Sequence, residues 1–186
     1  MTDILTQQVL STKEKIKSAI RDVRDFPKPG ILFKDITPIL SDPALCREIE
    51  KEFVKAVSDF PIDAVAGIES RGFLFGMGIA QRLNVPFIPI RKKGKLPYKT
   101  VSHEYELEYG SAVIEMHTDA ISEGMNILIH DDLLATGGTA AATAELVKMQ
   151  KANVSCFAFL VELSFLFGRK SLERYDTKII SLVNYN

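Results

Sequence analysis

The sequence has no tryptophan and only two cysteines, Cys46 and Cys156. They lie far apart, belong to no CxxC pair and sit among apolar or helical neighbours, so they read as reduced thiols of a cytosolic protein rather than a disulfide staple or metal site. Charge of one sign is also missing: 23 Lys and Arg against 24 Asp and Glu leave a net charge of -1. Without a broad cationic field, delocalised binding to nucleic acid or to an anionic membrane surface is not expected. No window approaches the roughly 18 uncharged apolar residues needed to span a bilayer. The opening stretch MTDILTQQVLSTKEK has no apolar signal region, so neither secretion nor membrane spanning is expected. Repeats, low-complexity tracts and long Gly/Ser linkers are absent too, which leaves one domain over residues 1–186 with an N-terminal appendage.

What is present is ordinary globular chemistry, with 46% hydrophobic and 25% charged residues, enough for a real core. Ser11 or Thr12 can cap a helix whose apolar positions Ile16, Ala19, Ile20 and Val23 follow a 3.6 period and which must stop before Phe26-Pro-Lys-Pro-Gly30, a rigid non-helical loop. Ser41-Asp42-Pro43 announces a second helix, with Leu45, Ile49, Phe53 and Val57 on one face. Short apolar runs then follow at Ala64 to Ile68, Val85 to Ile90, Ile127 to Ile129, Val154 to Val161 and Lys178 to Val183. They alternate with an apolar, Gly-containing segment from Phe73 to Leu83 and a helical stretch from about Thr139 to Gln150. This alternation predicts an α/β fold with a Rossmann-like parallel sheet flanked by helices. Between Lys92 and Glu123 the period falls to two, in Glu104-Tyr-Glu-Leu-Glu-Tyr109 and again in Ala112 to Met116, with Gly110 as the break. That pattern predicts an antiparallel hairpin exposed on one side, a candidate lid over about residues 94–118.

The richest segment runs Ile127-Leu-Ile-His-Asp131-Asp132-Leu-Leu-Ala135-Thr136-Gly137-Gly138-Thr139: strand, acidic pair, hydroxyl- and Gly-rich turn, helix start. In open α/β sheets ligands sit beyond the carboxyl ends of strands, and the free N–H groups of a helix start receive anions. Gly137 and Gly138 allow close approach, and Thr136 and Thr139 add hydroxyl donors, so Ala135 to Thr139 form a phosphate cradle. Asp131 and Asp132 would repel a bare polyphosphate, but can accept hydrogen bonds from sugar hydroxyls or act through Mg2+, a combination that suits a ribose 5-phosphate. Neither GxxxxGK[ST] nor GxGxxG occurs, which excludes an ATP P-loop and a dinucleotide fingerprint.

This segment resembles the phosphoribosyl pyrophosphate motif of the type I phosphoribosyltransferases, and LLATGGT resembles its form in the adenine-using members. FPKPGILFKDITPIL (Phe26 to Leu40), GIESRGFLFG (Gly67 to Gly76), IRKKGKLP (Ile90 to Pro97), LEYG (Leu107 to Gly110) and LVEL (Leu160 to Leu163) match in family order from about Phe26 onward. The resemblance implies purine salvage in the cytoplasm, converting adenine and 5-phosphoribosyl 1-pyrophosphate to AMP and pyrophosphate, with Mg2+ bound mainly through substrate and water. The alternatives are a 6-oxopurine enzyme of the same fold and a non-catalytic, DNA-binding regulator. By resemblance, Glu69, Ser70, Arg71 and Gly72 bind pyrophosphate and the Glu69–Ser70 peptide is cis. Arg71 offers a planar fork of donors for phosphate oxygens.

In the basic run Arg91-Lys92-Lys93-Gly94-Lys95, Arg91 and Lys95 are the candidates to neutralise the leaving pyrophosphate, while Lys92 reads as a solvated loop residue. By resemblance some of these side chains reach a neighbouring subunit, so a homodimer is expected. Glu108 and Tyr109 match the lid motif, with Glu108 relaying a proton at adenine N9. The hood, within an arm of about residues 1–40, would read adenine through the main chain of Leu32 and Lys34 with Phe33 packed nearby. His130 departs from the family, which usually has an aliphatic residue there, and is expected to be packed and satisfied. His103 and His117 lack metal-ligand spacing and read as exposed or structural.

Overall fold

The computed structural model describes residues 10–106 and 110–186. Two compact units divide between Ile49 and Glu50. In the first, α1 (Thr12–Ala19) opens with a reciprocal cap: Ser11 Oγ accepts the Glu14 N–H at 3.3 Å and the Glu14 carboxylate accepts the Ser11 N–H at 2.8 Å. Ile16 and Ile20 are buried, as the period requires. Val23, expected on the same helical face, lies instead on β1 (Arg21–Arg24) opposite Phe33 of β2 (Leu32–Asp35). The antiparallel ladder with a segment ten residues away wins over one more helical turn, and local periodicity cannot register that pairing. The Arg21 guanidinium clasps Asp35 at 2.6 and 3.1 Å, and Lys34 Nζ meets Asp22 at 2.6 Å. The Thr37 N–H, and then Arg21, hold the Asp35 carboxyl down at about 2.

Helix α2 (Pro43–Ala56) begins where the sequence announces it, with Asp42 Oδ1 accepting the N–H groups of Ala44 and Leu45 at 2.9 and 3.0 Å. Leu45, Ile49, Phe53 and Val57 are all buried, one stripe at i, i+4 spacing.

The second unit is a seven-stranded sheet made of β3 (Ala64–Ile68), β4 (Phe87–Lys92), β5 (Thr100–Glu106), β6 (Ser111–His117), β7 (Asn126–Leu134), β8 (Asn153–Leu163) and β9 (Lys178–Tyr185), in the order β5-β6-β4-β3-β7-β8-β9. Strands β4, β3, β7, β8 and β9 are parallel, and the β5–β6 hairpin adds antiparallel to the free edge of β4. Helices α3 (Gly72–Leu83), α4 (Gly138–Met149) and α5 (Gly168–Leu172) complete the unit. Its apolar cluster joins the central strands to the alanine-rich face of α4 and to Phe157 and Phe159 of β8. Each large side chain buried there contributes about 1.5–3 kcal/mol. Helix α3 carries Gly76 because a Cβ there would lie 2.9 Å from the Phe87 ring, so glycine lets the helix settle against the sheet.

The chain runs from β3 through α3 to β4 on one side, and returns through the hairpin to β7 on the other side of β3. Strands β3 and β7 thus flank the point where the winding reverses, and the loops after them open side by side. Strand β7 also runs longer than its apolar run predicts, to Leu134, so Asp131 and Asp132 belong to the strand itself rather than to the turn that follows.

Candidate active site

Cradle geometry follows from close backbone packing. Gly137 caps α4 in the left-handed region at φ 82°, and a Cβ there would stand 2.5 Å from the Gly168 carbonyl oxygen. Gly168 in turn abuts the Ala135 carbonyl, and Ser171 Oγ donates to the Thr136 carbonyl at 2.8 Å. The segment behind the loop is itself tied down, because Arg169 grips the buried Glu162 through two N–H groups at 2.8 and 2.7 Å and donates to the Ile179 carbonyl at 3.1 Å. Thr136 is exposed and Thr139 half-buried, with Thr139 Oγ1 at 3.1 Å from the Tyr105 hydroxyl of the hairpin.

Beside this loop, Asp132 has 4% of its side chain exposed and meets Arg71 Nε at 2.9 Å. The Asp132 N–H donates to Asp131 Oδ1 at 2.8 Å. Burial pushes the Asp131 carboxyl well above the usual range, and the neighbouring Asp132 charge adds to the effect. Burial raises Asp132 as well, opposed by the Arg71 guanidinium. Gly72 sits against this strand: a Cβ would lie 2.8 Å from the His130 carbonyl and 3.0 Å from Asp131 Oδ1, which brings the start of α3 onto the acidic pair.

The Glu69–Ser70 peptide is cis, as the family resemblance implies, and Ser70 is exposed beyond it. Glu69 Oε2 accepts the Lys92 N–H at 3.0 Å and Arg91 Nε at 3.1 Å. Burial would raise this carboxyl, but the Lys92 N–H and Arg91 outweigh it and hold it below its ordinary value. Arg91 also donates to the Lys95 carbonyl at 3.3 Å, while the Lys95 side chain is exposed.

One cavity of about 110 Å3 gathers Glu69, Lys92, Tyr105, Asp131 and Thr139 over a floor of Ile68, Ile90 and Ile114. Lys92, expected to be a solvated loop residue, is exposed but closes strand β4 and also lines the cavity. The pleat puts Arg91 and Lys92 on opposite faces of β4, and Arg91 is the one that turns to Glu69. Tyr105 and Lys92 escape sequence reasoning because both lie in charged stretches. Ser171 escapes it because its partner, Thr136, is 35 residues away in sequence.

His130 is fully buried, with Nδ1 at 2.9 Å from the Ala158 carbonyl and its ring edge-on to Phe53 at 5.0 Å. Nε2 has no partner, so the histidine is packed as expected but only half satisfied. Burial lowers its pKa to about 4 and keeps it neutral. His103 and His117 are half-buried, and His117 Nδ1 has no partner.

In the first unit, Leu32 is exposed, Phe33 stands edge-on to Phe26 at 5.1 Å, and Lys34 is paired with Asp22. Alternation along β2 points the main-chain groups of residues 32 and 34 the same way. Glu108 and Tyr109 lie outside the described residues. Among the described residues, no group of three His, Cys, Asp or Glu side chains is placed to hold a metal ion.

The phosphoribosyl transferase domain family matches residues 35–183. The adenine phosphoribosyltransferase of Cytophaga hutchinsonii is 55% identical over 173 residues, 93% of this chain and 96% of that protein. The crystal structure of adenine phosphoribosyltransferase from Thermoanaerobacter pseudethanolicus matches with a TM-score of 0.90 at 50% identity, covering 93% of this chain and 99% of that one. The Saccharomyces cerevisiae enzyme, complexed with D-2,5-dideoxy-2,5-imino-altritol 1,6-bisphosphate and adenine, matches with a TM-score of 0.87 at 41% identity over 94% of this chain and 99% of that one.

Proposed function

The chain belongs to the phosphoribosyl transferase domain family, and from that membership we infer a purine salvage enzyme that converts adenine and 5-phosphoribosyl 1-pyrophosphate to AMP and pyrophosphate. The observation that carries this reading is one cavity at the switch point that gathers Thr139 of a glycine-capped helix start, Asp131 of the acidic pair and Lys92 at a strand end. A 6-oxopurine enzyme and a non-catalytic regulator are not favoured, because the relatives at this identity are adenine phosphoribosyltransferases.

In this reading the 5-phosphate sits on the N–H groups of the Ala135–Thr139 loop, with the hydroxyls of Thr136 and Thr139 as further donors. Asp131 and Asp132 accept from the ribose hydroxyls, and Arg71 opposes the rise that burial imposes on the Asp132 carboxyl. Pyrophosphate is held by Ser70, Arg71 and the main chain at Gly72, with Glu69 setting the position of Arg91, and Lys95 adds charge from the loop. As the C1–O bond to pyrophosphate lengthens, positive charge grows on the ribose and negative charge on the leaving group. The fixed cations stabilise the latter without having to reorganise. Adenine N9 attacks C1 as Glu108 relays its proton, and closure of the hairpin at Tyr109 keeps water from the activated sugar. Leu32 and Lys34 read the 6-amino edge of adenine through their main chain, with Phe33 against the ring, and a 6-oxo purine would leave a polar group mispaired.

Mg2+ would enter mainly with the substrate and its water, with the Asp131–Asp132 pair as the carboxylates of the chain within the site. When bound, Mg2+ supplies further neutralisation of the leaving group. Two reduced cysteines and no helix, among the described residues, long and apolar enough to cross a membrane support a cytoplasmic enzyme. It acts as one phosphoribosyltransferase domain with an N-terminal hood over about residues 1–40, a lid over about 94–118 and a homodimeric assembly.

The test is AMP formation from adenine and phosphoribosyl pyrophosphate, with hypoxanthine as the competing acceptor. AMP production that stops on chelation of Mg2+ and is not matched by IMP production is expected. Equal use of hypoxanthine would refute the adenine assignment.

A further inference from the structure

The loop that carries the basic run offers few main-chain donors to an anion, because carboxylates of the chain already hold them. Glu115, on strand β6, is only 4% exposed. Its Oε1 accepts the N–H groups of Gly94, Lys95 and Leu96 at 3.0, 3.1 and 3.1 Å, and its Oε2 accepts the Thr100 hydroxyl at 3.3 Å. On the opposite flank, Glu69 takes the Lys92 N–H at 3.0 Å, and Arg91, itself on Glu69, donates to the Lys95 carbonyl at 3.3 Å. Glu115 also lies directly across the ladder from Arg91 of β4 and from Ser102 of β5, so one side chain joins the hairpin to the loop. Three successive N–H groups converging on one carboxylate oxygen form the kind of nest that binds a phosphate, here filled by a side chain of the fold. With the main chain so fixed, the Lys92, Lys93 and Lys95 side chains are left exposed around the loop.

We propose that Glu115 is a positioning residue for pyrophosphate. By occupying the nest of residues 94–96 it sets where the Arg91–Lys95 cations stand, and it makes the hairpin and the basic loop move as one body. This rests on the reading of the site as a phosphoribosyltransferase centre and adds to it a residue outside the cavity. Removing the side chain leaves the three converging N–H donors without an acceptor, and a neutral amide offers them one oxygen without the charge, so the loop relaxes by moving its lysines.

The test is titration calorimetry of AMP and, separately, of pyrophosphate with Mg2+, on the wild type, Glu115→Ala and Glu115→Gln. AMP does not engage the basic loop, so its affinity should stay within about twofold, while Glu115→Ala weakens pyrophosphate about tenfold or more, the scale of loss that follows a misplaced contact. Glu115→Gln keeps one acceptor oxygen and should fall between. In turnover, KM for phosphoribosyl pyrophosphate should rise while KM for adenine holds. Unchanged pyrophosphate affinity, or an equal loss for AMP and pyrophosphate, overturns the inference. Should Glu115→Ala not fold, Glu115→Gln and Thr100→Val, which removes the partner of Oε2, carry the same comparison, with selective loss supporting the role and equal or no loss refuting it. A wild type that binds neither ligand would instead overturn the phosphoribosyltransferase reading, and this inference with it.

Discussion

Replacing Gly137 with alanine tests the cradle at its tightest point, and Gly124 supplies the control. Both glycines are left-handed, at φ 82° and 84°, but a Cβ on Gly124 meets nothing within 4 Å whereas one on Gly137 lies 2.5 Å from the Gly168 carbonyl oxygen and 3.1 Å from Ser171 Cβ. At Gly124 alanine meets only the backbone penalty, about 1–2 kcal/mol, offset by about 0.4–1 kcal/mol because alanine also restricts the unfolded chain. The net loss is about 1 kcal/mol, a fall in Tm of about 2–4 °C for a chain of this size. Gly137→Ala adds a clash that ordinary contact at 3.4 Å would relieve only by a shift of about 0.9 Å, against a backbone oxygen that has no rotamer to change. The added cost is about 1–3 kcal/mol, so Tm should fall by about twice as much as in the control or more. A loop displaced by nearly 1 Å should also lose about 100-fold in kcat/KM for phosphoribosyl pyrophosphate, with the control unchanged. Thermal melts and initial rates on the two variants decide it. Equal Tm losses together with wild-type kcat/KM in Gly137→Ala would refute the close-packed cradle.

His130 should make stability fall with acid. Its folded pKa of about 4 is depressed from 6.5, so the folded state resists protonation, stability is full above about pH 6.5, and it is lost as pH drops toward 4. By pH 5 the loss is about 2 kcal/mol relative to pH 7.5. Urea denaturation of the wild type and His130→Leu at both pH values should show this difference only in the wild type. The raised carboxyl of Asp131 works in the opposite direction in both proteins, and parallel slopes would contradict the buried neutral imidazole. Replacing Asp131 and Asp132 together with asparagine should lower kcat/KM for phosphoribosyl pyrophosphate by about 100-fold or more while far-ultraviolet circular dichroism stays native, and undiminished kcat/KM would count against the ribose role. Glu108→Gln should lower kcat by about 100-fold with little change in adenine Kd, and wild-type turnover would remove the proton relay.

Much of the architecture was legible because burial on both faces writes strands as apolar runs. Ala64–Ile68 was read to the residue, and the stripe Leu45, Ile49, Phe53 and Val57 marked α2. Legibility failed wherever a distant partner decides. Val23 joined a ladder with Phe33 instead of the helix before it. The acidic pair ended the apolar run of β7 early, yet the strand continues with Asp132 paired inside it to Arg71, 61 residues back in the chain. For the candidate site, the loop from Ala135 to Thr139 and the Glu69–Gly72 turn were visible as motifs. The groups that shape them were not: Glu115 looks like one more charge in an alternating hairpin, and nothing local couples Gly168 or Ser171 to a loop thirty residues earlier. Lys92 is exposed, as expected, but a run of lysines does not say which of them the pleat sets at the rim of the cavity.

The central claim is that the switch-point loop holds a sugar phosphate and the acidic pair its hydroxyls, and a crystal structure with AMP tests it most directly. The account predicts the phosphate within hydrogen-bond reach of the N–H groups of Thr136 to Thr139, and the ribose hydroxyls on Asp131 and Asp132. Nucleotide bound elsewhere, with this loop and both carboxylates bare, would contradict it.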